Sequence, residues 1–89
     1  MRIEFDPGKD AANRVKHGLP PSAAAELDLN EASIVEDKRF TYGEARFLAY
    51  GLIAGRLHVL CFTMRGDVMR AIGLRKANDR ERERYGELS

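Results

Sequence analysis

The order of apolar and polar positions in the first third of the chain predicts one short strand followed by two helices. Residues 2–5 alternate in polarity, which suits a strand with Ile3 and Phe5 facing inward. An Asp-Pro pair then begins a helix over residues 7–17, and the glycine after it supplies a helix end. Two prolines break the chain before the helix-prone residues 22–29. We expect the two helices to form a hairpin.

The rest of the chain predicts a sheet. Residues 33–37 suit a short strand, and residues 46–53 form a second one that ends at an Ala-Gly turn. Residues 57–64 are apolar at both odd and even positions, which is typical of a strand inside a sheet. After an Arg-Gly-Asp turn, residues 68–75 complete an antiparallel meander of three strands.

The chain ends in a pattern that predicts a short charged helix. Asn78 is a good helix cap, and Glu81 three residues later completes a capping-box pair. The helix is expected to end near Tyr85. The predicted fold class is therefore α+β, with a small, mostly antiparallel sheet, a two-helix N-terminal hairpin on one face and a short C-terminal helix.

Length and composition limit the possible classes of protein. A chain of 89 residues with 44% hydrophobic side chains supports one core, so residues 1–89 are interpreted as a single domain. The single cysteine, Cys61, cannot form an internal disulfide, and no Cys/His spacing resembles a zinc site. No apolar run approaches the ~20 residues that span a bilayer, and the first residues lack a secretory signal. A cytoplasmic location is expected.

Charge is distributed unevenly along the chain. Residues 1–44 carry six Lys/Arg and nine Asp/Glu, whereas residues 45–89 carry nine and five. Eleven of the fifteen basic residues are arginines, whose planar guanidinium groups bind phosphate through two parallel hydrogen bonds. This pattern favours a nucleic-acid partner.

Three blocks of residues resemble the BrnT toxins of bacterial BrnT/BrnA toxin-antitoxin modules. They follow the order of that family and span almost the whole chain. The blocks are Phe5-Asp6 through Lys9, Asn13 and Lys16-His17-Gly18; Gly43-Glu44-x-Arg46 leading to Gly51; and Arg70-x-Ile72-x-x-Arg75-Lys76-Ala77 with Arg80-Glu81-Arg82 and Tyr85.

The resemblance implies a RelE-like fold and a ribonuclease that cleaves RNA without a metal or other cofactor, thereby inhibiting translation and growth. It also implies a cognate BrnA-like antitoxin, a DNA-binding protein of the ribbon-helix-helix type, in a toxin-antitoxin hetero-oligomer. RNA is then the substrate, and no membrane partner is expected.

Metal-free cleavage of RNA commonly uses the adjacent ribose 2′-hydroxyl as nucleophile, so the protein must stabilise the charge of a phosphorane. Arg75, in the best-matched block, is the first candidate for a phosphate clamp, and Arg46 is the second. Arg70 is a further catalytic candidate, and Arg65 is a candidate for RNA binding. Each arginine has a structural alternative, namely pairing with a carboxylate. In an unbulged strand, Arg70 and Arg75 would point to opposite faces.

The acid and base have several candidates. Glu44 serves as general base if burial raises its pKa, or else it fixes Arg46 in position. His17 titrates near neutrality or only caps the first helix, and Tyr85 contacts RNA or only anchors the last helix. The candidates for RNA contact besides Arg65 are Lys9, Lys16, His17 and Tyr85.

Three functions compete on these observations. The first is an RNA-cleaving toxin. The second is a non-catalytic module that binds nucleic acid or protein with the same arginines but assembles no acid and base. The third is a structural or stress-related partner protein, because a run of charges is usually only a solvated face.

Overall fold

The computed structural model describes residues 2–6, 11–12, 21–39 and 43–85, and its framework is a five-stranded mixed sheet. The strands lie in the order β1-β5-β4-β3-β2. The β1–β5 pair is parallel and the other three pairs are antiparallel. The bounds are β1 Arg2–Phe5, β2 Ser33–Asp37, β3 Arg46–Ile53, β4 Arg56–Arg65 and β5 Val68–Lys76.

The predicted meander of β3, β4 and β5 is confirmed. Strand β4 lies at the centre of the sheet, as its apolar residues at both parities predict. Its connection to β3 is a two-residue turn in which Ala54 and Gly55 have φ values of 51° and 78°. Two successive positive φ angles match the right-handed twist of paired strands, so this turn suits a tight hairpin.

The two faces of the sheet bury different clusters. The face that we call the core face carries the main cluster, to which η1, a 3₁₀ helix over Pro21–Glu26, and the residues after it also contribute. The opposite face, which we call the α1 face, carries a smaller cluster around Tyr50, Leu57 and Val59. The core-face cluster contains Leu27, Ala49, Ile53, Leu60, Phe62, Met69, Ala71 and Leu74.

The C-terminal helix, α1 (Asp79–Arg84), forms as the sequence predicts. The Asn78 side chain accepts a hydrogen bond from the backbone N–H of Glu81, and the Glu81 carboxylate accepts one from the backbone N–H of Asn78. The ring of Tyr85 then stacks on Tyr50 of β3, with centroids 3.8 Å apart. The helix is thus attached to the sheet by an aromatic contact at its end.

A register shift between β4 and β5 changes the predicted placement of two arginines. Cys61 pairs with Gly73 but Phe62 pairs with Ala71, so Ile72 is an extra residue in β5. Such a bulge reverses the alternation of side chains along the strand. Arg70 and Arg75 therefore pair with Thr63 and Val59, which share the α1 face. The expectation of opposite faces applied to an unbulged strand, and it does not hold for this bulged one.

The predicted N-terminal two-helix hairpin, and the fold class that included it, are also wrong: the described residues contain no such hairpin. The expected helix over residues 22–29 is a 3₁₀ helix that ends at Glu26. A segment this short does not offset the cost of nucleating an α-helix, and Leu27 is buried against the sheet instead. Most of the expected first helix lies outside the described residues, although residues 11–12 are helical. Phe5 was expected to face inward but is 41% exposed.

The described part of the chain contains no helix that is long and apolar enough to cross a bilayer.

Gly51 provides a test of core packing. A Cβ atom at this position would lie 2.7 Å from Cδ2 of Leu27 and 3.2 Å from Cβ of Ala32. Since Leu27 is buried and its side chain would have to shift, we expect Gly51→Ala to lower the free energy of unfolding by about 1–3 kcal/mol in urea denaturation. In a Leu27→Ala background the loss should shrink, because the new methyl group occupies vacated space. An equal loss in both backgrounds would contradict this packing.

Candidate functional site: an arginine-lined cavity on the α1 face

A cavity of about 160 Å³ opens on the α1 face of the sheet. The lining residues Cys61 and Gly73 are cross-strand partners on β4 and β5. Because glycine has no side chain and cysteine a short one, this pair leaves a depression between larger neighbours. The residues around it include Leu48, Val59, Arg39 and Arg75. The cavity therefore has an apolar lining together with two guanidinium groups.

Arg75 is held by a carboxylate of α1. Its Nη1 and Nη2 atoms donate to Oε1 and Oε2 of Glu81 over 2.7 Å and 2.9 Å. The Arg75 side chain is 38% exposed and that of Glu81 is 15% exposed. The hydrogen bond from Arg75 is the main reason that the pKa of Glu81 lies below its usual value.

Arg39 is held in a similar way at the other side of the cavity. Its Nε and Nη2 atoms donate to Oδ1 and Oδ2 of Asp37, both over 2.8 Å, and its backbone N–H donates to Oδ1 over 3.2 Å. The Asp37 side chain is 1% exposed, whereas that of Arg39 is 66% exposed. Neither residue was among the site residues predicted from the sequence. The available signal was the Asp-Lys-Arg sequence at the end of β2, because Asp often bonds the backbone two residues later.

Arg46 lies on the same face, close to the cavity lining. It is the cross-strand partner of Asp37, and its charge acts on the Cys61 thiol. Burial raises the pKa of Cys61, and the charges of Arg46 and Arg39 oppose this effect only in part. Cys61 therefore lines the cavity as a neutral thiol.

Two other predicted cations lie farther along the α1 face. Arg70 is about 13 Å from the level of Arg75, measured as four residues along β4. Its guanidinium lies 3.7 Å from the Glu4 carboxylate, with both side chains partly exposed. Arg65 is exposed at the end of β4. The sheet thus places Arg46, Arg65, Arg70 and Arg75 on one face, and only Arg75 of these four lines the cavity.

The described candidates for general acid and base lie in positions that do not favour those roles. Glu44 is exposed just before β3, so the burial that a base role required is absent. Tyr85 stacks on Tyr50, which matches its anchoring alternative. The predicted RNA contacts Lys9, Lys16 and His17 lie outside the described residues.

Metal binding finds no support in the described ranges. They contain no group of three or more His, Cys, Asp or Glu side chains that could hold an ion. The charged groups that line the cavity are cationic, which suits an anionic ligand.

Comparison with known proteins shows the family to which this chain belongs. A family model described as the ribonuclease toxin BrnT of type II toxin-antitoxin systems matches residues 5–81. The matched range includes both arginine–carboxylate pairs of the cavity. A search of the curated proteins found no match.

The Glu81 carboxylate should contribute to stability in a pH-dependent way. Its pKa in the folded chain lies below the usual 4.5, so the ionised form stabilises the fold at neutral pH, and this contribution is lost as the pH falls through the folded pKa. We expect Glu81→Gln to lower the free energy of unfolding by about 1 kcal/mol at pH 7. The difference from wild type should shrink below pH 4.5 in urea titrations.

The matched control is Glu83→Gln, which removes an exposed carboxylate from the same helix. It should change stability by less than about 0.5 kcal/mol. A difference for Glu81→Gln that stays constant from pH 7 to pH 3 would contradict the ionic contribution.

Proposed function

The chain belongs to the BrnT family of ribonuclease toxins of type II toxin-antitoxin systems, and we propose that its α1-face cavity binds the scissile phosphate of RNA in a metal-independent cleavage. The observation that carries the proposal is the position of Arg75 at the cavity, fixed by two hydrogen bonds to Glu81. A guanidinium held in place before substrate arrives needs no reorganisation during the reaction. This arrangement suits stabilisation of phosphorane charge.

The proposed reaction is an internal transesterification. The ribose 2′-oxygen forms a bond to phosphorus while the bond from phosphorus to the 5′-oxygen breaks. The products are a 2′,3′-cyclic phosphate and a 5′-hydroxyl. One proton leaves the 2′-hydroxyl and one reaches the 5′-oxygen, and solvent water at the open cavity can accept the first and supply the second. No oxidant, reductant or metal is needed for this balance.

The other predicted residues have supporting roles in this proposal. Arg46 adds positive charge beside the cavity, and Glu44 at the start of its strand is a positioning group rather than the base. Arg70 and Arg65 lie along the α1 face, where they bind phosphates of neighbouring nucleotides. The proposed RNA contacts beyond the described residues are Lys9, Lys16 and His17.

Family membership also implies an antitoxin partner. We propose that this partner is a BrnA-like ribbon-helix-helix protein and that RNA cleavage in the cytoplasm inhibits translation and growth. An antitoxin that covers the cavity would both block substrate and stabilise a small fold.

Arg75→Ala tests the proposed site. We expect the variant to lose ~10²- to 10³-fold in kcat on an RNA oligonucleotide, because one preorganised donor to developing charge is removed. Arg75→Lys keeps the charge but loses the paired N–H geometry, so its loss should be smaller. Rates are measured from the appearance of the 2′,3′-cyclic phosphate product in the presence of EDTA.

Arg80→Ala is the matched control, because it removes an exposed arginine of α1 that does not line the cavity. Circular dichroism verifies that each variant is folded. A folded Arg75→Ala that cleaves RNA as fast as Arg80→Ala would make Arg75 a structural residue. Loss of wild-type cleavage in EDTA, with recovery on adding magnesium, would contradict the metal-independent reaction.

The partner proposal is tested by co-expression. If the gene next to this one encodes a small ribbon-helix-helix protein, the two products should co-elute in size-exclusion chromatography, and the complex should have a higher Tm than the toxin alone. Separate elution of two folded proteins would show that the proposed antitoxin is not the partner.

A further inference from the structure

We infer that Arg39 is a second phosphate-binding residue of the cavity, sharing the scissile phosphate with Arg75, and that the buried Asp37 positions it. This inference rests on the proposed function, because it names a further residue of the same site. Its basis is that Arg39 and Arg75 line one cavity and that each is bonded through two nitrogens to a carboxylate.

The two arginines line the same cavity from positions on either side of the two central strands, β3 and β4. Arg39 follows β2, the edge strand, and Arg75 belongs to β5, with β3 and β4 between them. Both side chains nevertheless line the same cavity, and the charge of Arg39 acts on Arg75 and Glu81. An anion in the cavity would then be close to both guanidinium groups.

The two guanidinium groups are bound by their carboxylates through different edges. Asp37 binds the Nε and Nη2 edge of Arg39. In Arg75 the arrangement is reversed, because Glu81 binds Nη1 and Nη2. Phosphate oxygens can accept hydrogen bonds from either edge.

The burial of Asp37 distinguishes this pair from an ordinary surface ion pair. An exposed arginine normally samples many rotamers, and a surface pair restrains it little. Here the carboxylate is almost inaccessible and accepts three hydrogen bonds from Arg39, including one from the backbone. A fixed acceptor of this kind holds an exposed guanidinium in one place.

The charges themselves favour an anion between the two side chains. Arg39 acts electrostatically on both Arg75 and Glu81, so the two guanidinium groups lie within interaction range. Their mutual repulsion is relieved when a negatively charged group enters the cavity. The phosphorane carries more charge than the ground-state phosphodiester, so relief is greatest in the transition state.

The test compares Arg39→Ala, Arg39→Lys and Asp37→Asn with Lys38→Ala. Lys38 is exposed, adjacent in sequence and absent from the cavity lining, so its variant removes the same charge from the same segment. Two assays are run in EDTA. The first gives kcat and KM on an RNA oligonucleotide, and the second gives the Kd of the same oligonucleotide fully 2′-O-methylated, by fluorescence anisotropy.

For Arg39→Ala we expect a fall of ~10²-fold in kcat with a smaller change in KM, and about tenfold weaker binding of the methylated oligonucleotide. Arg39→Lys should recover part of the rate. Asp37→Asn leaves Arg39 charged but weakens the hydrogen bonds that fix its guanidinium. We therefore expect kcat to fall, while Kd should change less than in Arg39→Ala. Lys38→Ala should match wild type in kcat, KM and Kd.

The failure of this inference is separable from that of the proposed function. If Arg75→Ala loses cleavage but folded Arg39→Ala cleaves and binds like Lys38→Ala, the function stands and Arg39 has no role in it. If the wild-type chain cleaves no RNA, the proposed function fails. The Kd of the methylated oligonucleotide then tests the inference on its own, and an unchanged Kd in Arg39→Ala overturns it. Should Asp37→Asn fail to fold, the two Arg39 variants still decide whether Arg39 binds phosphate.

Discussion

The extra residue in β5 determines which side chains each face of the sheet carries. In a regular strand, residues 70, 72 and 74 would share one face and residues 71, 73 and 75 the other. The bulge at Ile72 instead allows Ala71 and Leu74 to enter the same core while Arg70 and Arg75 share the opposite face. Without the bulge, one of the two arginines would point into the core, and the α1 face would lose it. Both the apolar core and the row of cations depend on this one register shift.

Glu81 connects the start of helix α1 with the cavity. Glu81 accepts hydrogen bonds from the backbone of Asn78 and from the side chain of Arg75. One carboxylate therefore starts a helix and fixes a guanidinium. Since Tyr85 holds the end of the same helix against β3, any motion of α1 changes the position of Arg75. The packing of α1 against the sheet therefore also determines the geometry of the cavity.

The sequence predicted elements whose signals are local. The bounds of β2 and β3 and the capping box of α1 could be read from short stretches, because alternation, turn residues and caps act over a few positions. The bulge could not be predicted, because it depends on how β4 and β5 pack together. Nor could the Asp37–Arg39 pair be assigned to the cavity, since the cavity needs β5, which is distant in sequence. The prediction of an N-terminal helical hairpin was wrong because helix propensity is a weak guide in short segments.

The parallel pairing of β1 with β5 affects the order in which the chain can fold. Strands β2 to β5 follow one another and pair as neighbours, so each pairing closes a short loop. Strand β1 has to find β5 across most of the chain, as the pairing of Arg2 with Val68 shows, and this closure has the largest entropic cost. We expect β1 to join the sheet last and to separate first in local unfolding. Because Asp37, Glu81 and the cavity lining lie within β2 to α1, these residues can assemble in a chain whose first strand has not yet paired.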